Sequence, residues 1–252
     1  MICDEYCQNL LIKYILSVYS STLLIIKEFR MFKSLPAYTN SKSLSVKKLS
    51  IEKQDHWLFQ NVNFELKPKE VLHLEGENGS GKTTLLRALC GLTIADEGEI
   101  FWDGASIQKQ SYDYHLQLSY VGHSDGIKQD LTVLENLRVA MVLSRSIYKV
   151  SDKKILSDIL KSIGLENKED TLAFHLSAGQ RRRLAFARCL LNDSALWILD
   201  EPLTALDVKG VAFIEQAIQA HIERGGLAII TSHQPLNVKN VRCTRLNLSA
   251  VA

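Results

Sequence analysis

A chain of 252 residues, 46% hydrophobic and 23% charged, is long enough to bury a sizeable core, as one large domain or a compact core with a subdomain. Lys plus Arg number 30 against 28 for Asp plus Glu, and the formal net charge of +2 gives no electrostatic footprint for nucleic acid and no acidic or basic tail. The five cysteines (3, 7, 90, 189 and 243) are odd in number, widely spread and without a C-x-x-C pair, which argues against a disulfide framework or a zinc site and for a reducing compartment.

Residues 1–30 differ from the rest. Leu10-Leu11-Ile12 and Tyr14 to Ile26 make an apolar stretch interrupted by Lys13 and closed by Lys27, short of the about 20 apolar residues a spanning helix needs. Asp4 and Glu5 sit where a secretory leader is positive, and no small-residue cleavage site follows. Three readings stand: an interfacial helix, a partner-binding helix, or a start upstream of the true first residue, Met31, of which the last is favoured. Residues 1–42 are set apart as an extension, and residues 43–252 are expected to form one domain.

From Ser43 to Glu70, short runs (Leu44-Ser45-Val46, Leu49-Ser50-Ile51, Leu58-Phe59 and Val62 to Leu66) predict antiparallel strands, broken at Lys67-Pro68-Lys69. Val71 to Leu74 reads as a short buried strand, and Lys82 to Cys90 carries Leu85, Leu86 and Leu89 at helical spacing, with Gly91 placed to end the helix. Between them, Gly76-Glu77-Asn78-Gly79-Ser80-Gly81-Lys82-Thr83, followed by Thr84, has the strand, loop, helix context of a P-loop. Its glycines let backbone N–H groups converge on a phosphate at the positive end of the helix. Lys82 is expected to reach the β- and γ-phosphates of ATP, and the Thr83 hydroxyl to bind the magnesium bridging them.

Gly98 to Gly104 reads as a further strand and its turn. The middle, roughly 118 to 176, is expected to be an inserted helical subdomain: Thr132 and Glu135 have capping-box spacing before Leu134, Leu137 and Val142, and Ser151 opens a helix with Ile155, Leu156, Ile159, Leu160 and Ile163 on one face. Ala195 to Leu199 is an apolar run ending in Asp200-Glu201, as a central parallel strand delivering carboxylates at its carboxyl end should be. Val211 to Arg224 is amphipathic, and Leu227 to Thr231 is a second buried strand, ending at Ser232-His233. Asp200 is expected to hold magnesium, directly or through water, and Glu201 to orient or deprotonate the water attacking the γ-phosphate. Cys90 and Cys189 lie in apolar helical runs and are expected to be small core residues.

Leu176-Ser177-Ala178-Gly179-Gln180, followed by Arg181-Arg182-Arg183, resembles the signature sequence of ABC ATPases, with Ala178 where the second small residue is usually Gly. Ser177, Gly179 and Gln180 at a helix N-terminus would form a second anion site. One chain does not need two, so the second is expected to serve a nucleotide held by another copy, the family's homodimeric ATP sandwich. The arginines are expected to form a solvated face. Thr204-Ala205-Leu206-Asp207 resembles the D-loop, and His233 the switch histidine that contacts the γ-phosphate and steadies the catalytic glutamate. The resemblance implies a P-loop NTPase ABC ATPase core of α/β class, with a mostly parallel sheet, helices on both faces, an antiparallel β part near the N-terminus and the helical insertion.

Two departures from the family pattern stand out. His123 occupies the place of the glutamine that usually couples nucleotide to the membrane partner, with Ser124 as the alternative contact. No aromatic residue falls at the adenine-stacking position, the nearest candidates being His56 and Trp57. Asp113-Tyr114-His115, Tyr120-Val121-Gly122-His123, Gly126-Ile127-Lys128, Glu135-Asn136-Leu137 and Ser232 to Leu236 resemble the ATP-binding subunits of cytochrome c maturation haem exporters. That implies an ATP hydrolase with ATP and Mg2+, peripheral on the cytoplasmic face of a bacterial inner membrane and docked on an integral-membrane permease subunit, without nucleic acid. An ATPase subunit of another small-solute transporter is the alternative; a soluble ABC ATPase acting on nucleic acid has less support.

Overall fold

A computed structural model describes residues 36–38, 42–143 and 152–250. Its nine strands form two sheets. An antiparallel one is ordered β2-β1-β4-β5, from β1 (Leu44–Lys53), β2 (His56–Leu66), β4 (Glu97–Trp102) and β5 (Ala105–Ser106). A parallel one is ordered β6-β7-β8-β3-β9, from β3 (Glu70–Glu75), β6 (Leu118–Val121), β7 (Leu196–Asp200), β8 (Leu227–Thr231) and β9 (Arg242–Asn247). The helices are α1 (Lys82–Leu89), α2 (Ser111–Leu116), α3 (Val133–Leu143), α4 (Lys153–Ser162), α5 (Ala178–Leu191) and α6 (Val208–Glu223).

The parallel sheet is apolar on both faces, and its period-2 alternation divides the core. Leu196, Ile198, Leu227, Ile229, Leu72 and Leu74 point to the layer shared with α1 and the antiparallel sheet. Trp197, Leu199, Ala228, Ile230 and Val71 point to the layer built from α3, α4, α5 and α6.

The two runs expected before Lys53 are one strand. Leu44 and Val46 are followed by Leu49 and Ile51, a spacing of three that would turn the second pair to the opposite face. A bulge absorbs the extra residue: Lys48 takes φ 50°, the register shifts on either side of Leu49, and all four side chains are buried. Across the bulge, a Cβ on Gly98 would lie 2.3 Å from the Lys48 carbonyl oxygen, so only glycine fits there.

The segment 118–176 is not helical throughout. Leu118–Val121 is the edge strand of the parallel sheet, too short for its pattern to declare itself, and the helices follow it. The Thr132–Glu135 capping box is present, with Thr132 N–H donating to Glu135 Oε2 at 2.8 Å and Glu135 N–H to Thr132 Oγ1 at 3.2 Å. Val142 is exposed rather than facing the core. Asp152 caps α4 through its side chain, accepting from Ile155 N–H, while Ser151 and residues 1–30 lie outside the described residues. β9 was not legible in the sequence; its side chains are mostly exposed, so it carries no apolar signature.

Cys90 and Cys189 are core residues, and burial pushes both thiols up to about 12. Beside them, the chain before β1 is tied to the end of α6. Tyr38 N–H donates to the Arg224 carbonyl at 2.9 Å, Arg224 Nε donates to the Pro36 carbonyl at 3.1 Å, and the Tyr38 hydroxyl meets His221 Nδ1 at 3.0 Å. His221 stacks on Trp197 at 4.1 Å and bonds the Leu227 carbonyl through Nε2 at 3.0 Å. Burial lowers its pKa from 6.5 to about 3. The unfolded chain therefore takes up a proton near pH 6.5 that the folded chain refuses until about pH 3, and stability is lost as pH falls between those values. At pH 5 the loss is about 2 kcal/mol, so urea denaturation at about pH 7.5 and pH 5 should show that difference in the native chain and little of it in His221→Phe.

Candidate active site

The carboxyl ends of β3, β7 and β8 meet at one edge of the parallel sheet, where a doubly wound fold presents its ligand site. A cavity of about 540 Å³ there is lined by Asn78, Gly79 and Gly81 from the loop after β3, by Lys82, Thr83 and Thr84 from the first turn of α1, and by Asp200, Glu201 and Thr204 at and after the end of β7, with His123 and His233. Lys53 and Leu58 of the β1–β2 hairpin close it on the side away from the sheet.

The loop from Gly76 to Gly81 is shaped for backbone donors. Gly81 caps α1 at φ 88° with no side-chain cap bond, so the first N–H groups of the helix stay available to a ligand. Lys82 folds back over the loop, its Nζ donating to the carbonyls of Gly76 at 2.6 Å and Glu77 at 2.8 Å. Glu77 N–H is held by Ser249 Oγ at 3.0 Å, and Ser80 Oγ is buried without a partner among the described residues.

Asp200 is 3% exposed at the end of β7. Its Oδ2 accepts from Thr83 Oγ1 at 2.9 Å and its Oδ1 from Thr231 Oγ1 at 2.7 Å, so one carboxylate joins α1, β7 and β8. Glu201 follows in the left-handed region at φ 52°, a conformation that costs a non-glycine residue about 1 kcal/mol or more. Its N–H donates to Thr231 Oγ1 at 2.8 Å, which holds the turn, and its carboxylate reaches the cavity with Oε1 3.5 Å from His233 Nε2. His233 is mostly exposed, at 67%.

Ser177, Gly179 and Gln180 do not line this cavity. They form the N-terminus of α5, where Ser177 Oγ accepts from Gln180 N–H at 3.2 Å and Gln180 Oε1 accepts from Ser177 N–H at 2.9 Å. Gly179 packs so closely on the turn after β7 that a Cβ would lie 2.5 Å from the Ala205 carbonyl oxygen. His123 lines the cavity and Ser124 does not. Neither His56 nor Trp57 lines it: alternation along β2 turns Trp57 outward, 40% exposed, and leaves Leu58 at the rim.

The arginine run is not a solvated face. Arg182 is 5% exposed, because the third residue of α5 after Gly179 turns back toward the sheet. It donates to the Gly122 carbonyl at 2.8 Å, to Asp125 Oδ1 at 3.2 Å and to the Asp200 carbonyl. Helical periodicity could have flagged it, since Ala178, Arg182, Ala185 and Cys189 share one stripe. The other missed residue is Asn136, buried beneath the loop after β6, with its amide bonded to Lys128, Leu131 and Thr132.

The sequence profile described as ABC transporter matches residues 59–204, from β2 through the turn after Glu201. The chain belongs to the ABC transporter ATPase family. Among curated ABC ATPases, the "Cytochrome c biogenesis ATP-binding export protein CcmA" of Nitrosomonas europaea is 45% identical over 206 residues, covering 82% of this chain and 95% of that protein. The protein of the same name from Vibrio cholerae is 40% identical over 205 residues, covering 81% and 98%. Among solved structures, a dimeric ATP-binding cassette in a post-hydrolysis state, bound to ADP and Pi, superposes with TM-score 0.68 at 25% identity, covering 76% of this chain and 88% of that one. This ABC ATPase therefore binds and hydrolyses ATP. No helix among its described residues is long and apolar enough to cross a membrane.

Proposed function

We propose that this ATPase works as a homodimer on the cytoplasmic face of a bacterial inner membrane, docked on an integral-membrane permease subunit of a cytochrome c maturation complex. There its turnover drives haem export or release of a haem-loaded chaperone. The observation that carries the enzymology is the shared carboxylate: Asp200 bonds Thr83 and Thr231 while Glu201, the next residue, faces His233 across the same cavity. The names of the relatives, at 40–45% identity over about four fifths of the chain, carry the biological setting.

Thr83 Oγ1 and Asp200 Oδ2, two hard oxygen donors 2.9 Å apart at the mouth of the P-loop, fit Mg2+. When bound, that ion neutralises charge on the β- and γ-phosphates. Lys82, held over the loop by two carbonyls, turns to the phosphates as ATP enters, and the free N–H groups at the start of α1 cradle them. Glu201 accepts the proton of the attacking water, and His233 approaches the γ-phosphate and steadies the carboxylate. With no aromatic ring at the base site, Leu58 and the aliphatic stem of Lys53 are the surfaces for the adenine. Ser177, Gly179 and Gln180 contact the nucleotide of the partner copy. The ATPase domain spans residues 43–252, with the helical subdomain within 118–176.

His123 lies in the cavity wall on the loop after β6, where its imidazole senses the attacking water or the magnesium shell and relays the state of the nucleotide to the permease. His123→Ala should keep most of the isolated ATPase rate, lose its response to the permease, and leave cells without c-type cytochromes while b-type cytochromes, which need no covalent haem attachment, still form. Haem staining of membranes from the variant and from a deletion of the gene checks this. Normal c-type cytochromes in the deletion would overturn the maturation setting in favour of another small-solute transporter; normal ones in His123→Ala alone would overturn only the relay.

A further inference from the structure

Among the described residues, Arg182, 5% exposed, is the most deeply buried charge outside the hydrolytic machinery. A guanidinium taken out of water needs its charge balanced and its donors met; here Nε has no partner among the described residues, and NH1 and NH2 carry the contacts. Its partners come from two directions. NH1 donates to the Gly122 carbonyl and to Asp125 Oδ1, both in the loop after β6, and NH2 donates to the Asp200 carbonyl at the end of β7. Asp125 is the counter-charge at 3.2 Å and is itself only partly buried.

Two of these partners adjoin residues of the cavity. Gly122 immediately precedes His123, and Asp200 immediately precedes Glu201, whose left-handed backbone sets where its carboxylate points. Arg188, nearly two turns further along α5, donates to the Asp125 carbonyl at 2.9 Å and the Gly126 carbonyl at 3.4 Å. Loop 122–126 is thus fastened to α5 at both its ends, and the Glu201 turn is fastened to α5 through the same guanidinium. The planar fork of arginine meets acceptors diverging from two elements; a lysine ammonium, a single point on a flexible stem, meets fewer of them at once.

We propose that Arg182 is a positioning residue for ATP hydrolysis: it binds the His123 loop and the Glu201 turn to the helix that begins at Ser177, so that the three move as one body. The inference rests on Glu201 being the general base. It predicts a separation between binding and turnover, because Arg182 makes no hydrogen bond to Lys82, Thr83 or the P-loop backbone, whereas the carbonyl it holds immediately precedes Glu201. A misplaced base slows the chemical step without weakening the grip on the phosphates.

The test is steady-state ATPase and equilibrium ATP binding on the purified full chain and its variants, with thermal melting as a control. Arg182→Met should lower kcat about 10- to 100-fold with the ATP dissociation constant within about twofold of native. Arg182→Lys should recover part of the loss and melt near the native temperature, and Asp125→Asn, which leaves Arg182 in place, should lower kcat in the same direction by less. The Arg182→Met, Asp125→Asn double variant should be no slower than Arg182→Met alone, because both act through one contact. If kcat stays within twofold of native in Arg182→Lys and Asp125→Asn, or if ATP affinity falls as far as kcat does, the proposal is overturned. If these variants behave as described yet Glu201→Gln turns over normally, the assignment of the base fails and Arg182 positions the His123 loop alone.

Discussion

Glu201→Gln keeps ATP binding and loses turnover by roughly 10²- to 10⁴-fold, the range expected when a general base is removed. The substitution is nearly isosteric, so the turn that places the side chain survives: the Glu201 N–H still donates to Thr231 Oγ1, and Asp200 still accepts from Thr83 and Thr231. What disappears is the lone acceptor in the cavity able to take a proton from water while facing His233 at 3.5 Å. In the proposed ATP sandwich hydrolysis would release the dimer, so ATP should trap the variant as a dimer, visible by size-exclusion chromatography with ATP and absent with ADP. Hydrolysis near the native rate would remove Glu201 from its role and leave Asp200, 3% exposed and already bonded to two hydroxyls, as a poor substitute base.

That these residues would meet in one cavity was legible in the sequence because the determinants are local. A glycine pattern between a buried strand and a helix, and an acidic pair at the end of an apolar run, each fix geometry over a few residues. Where the reading failed, the determinant was a contact between distant segments. Arg182 looks like one charge among three until α5 packs against β6 and β7, which brings Gly122, Asp125 and Asp200 to it from 57 or more positions away or across the sheet. The bulge at Lys48 is a similar case, since it exists to keep Leu49 and Ile51 on the face that Leu44 and Val46 chose. The strand at 118–121 has four residues, fewer than any periodicity can declare, and is recruited by pairing with β7. At the rim of the cavity, Trp57 and Leu58 differ by one position, and only the pleat of β2 decides which of them meets it.

Ser177→Asp should cost about 10²-fold in turnover, comparable with losing a preorganised donor to a developing phosphate charge, without unfolding α5. Aspartate is as good an N-cap as serine and suits the positive end of a helix, so the bond from Gln180 N–H at 3.2 Å can be replaced. What it adds is negative charge where the γ-phosphate of a partner's nucleotide is proposed to lie. Within one chain this should do nothing, because Ser177, Gly179 and Gln180 are absent from the lining of the cavity that holds Lys82, Asp200 and Glu201. The two arrangements separate on mixing. In a sandwich, a heterodimer of Ser177→Asp with Glu201→Gln holds one site with both defects and one with neither, since the intact Glu201 of the first chain faces the intact Ser177 of the second. Equal mixing should then restore roughly a quarter of the native rate from two nearly inactive proteins, half of the dimers being mixed and each carrying one of the two equivalent sites. If each chain hydrolyses ATP alone, mixing restores nothing, and the start of α5 takes no part in hydrolysis.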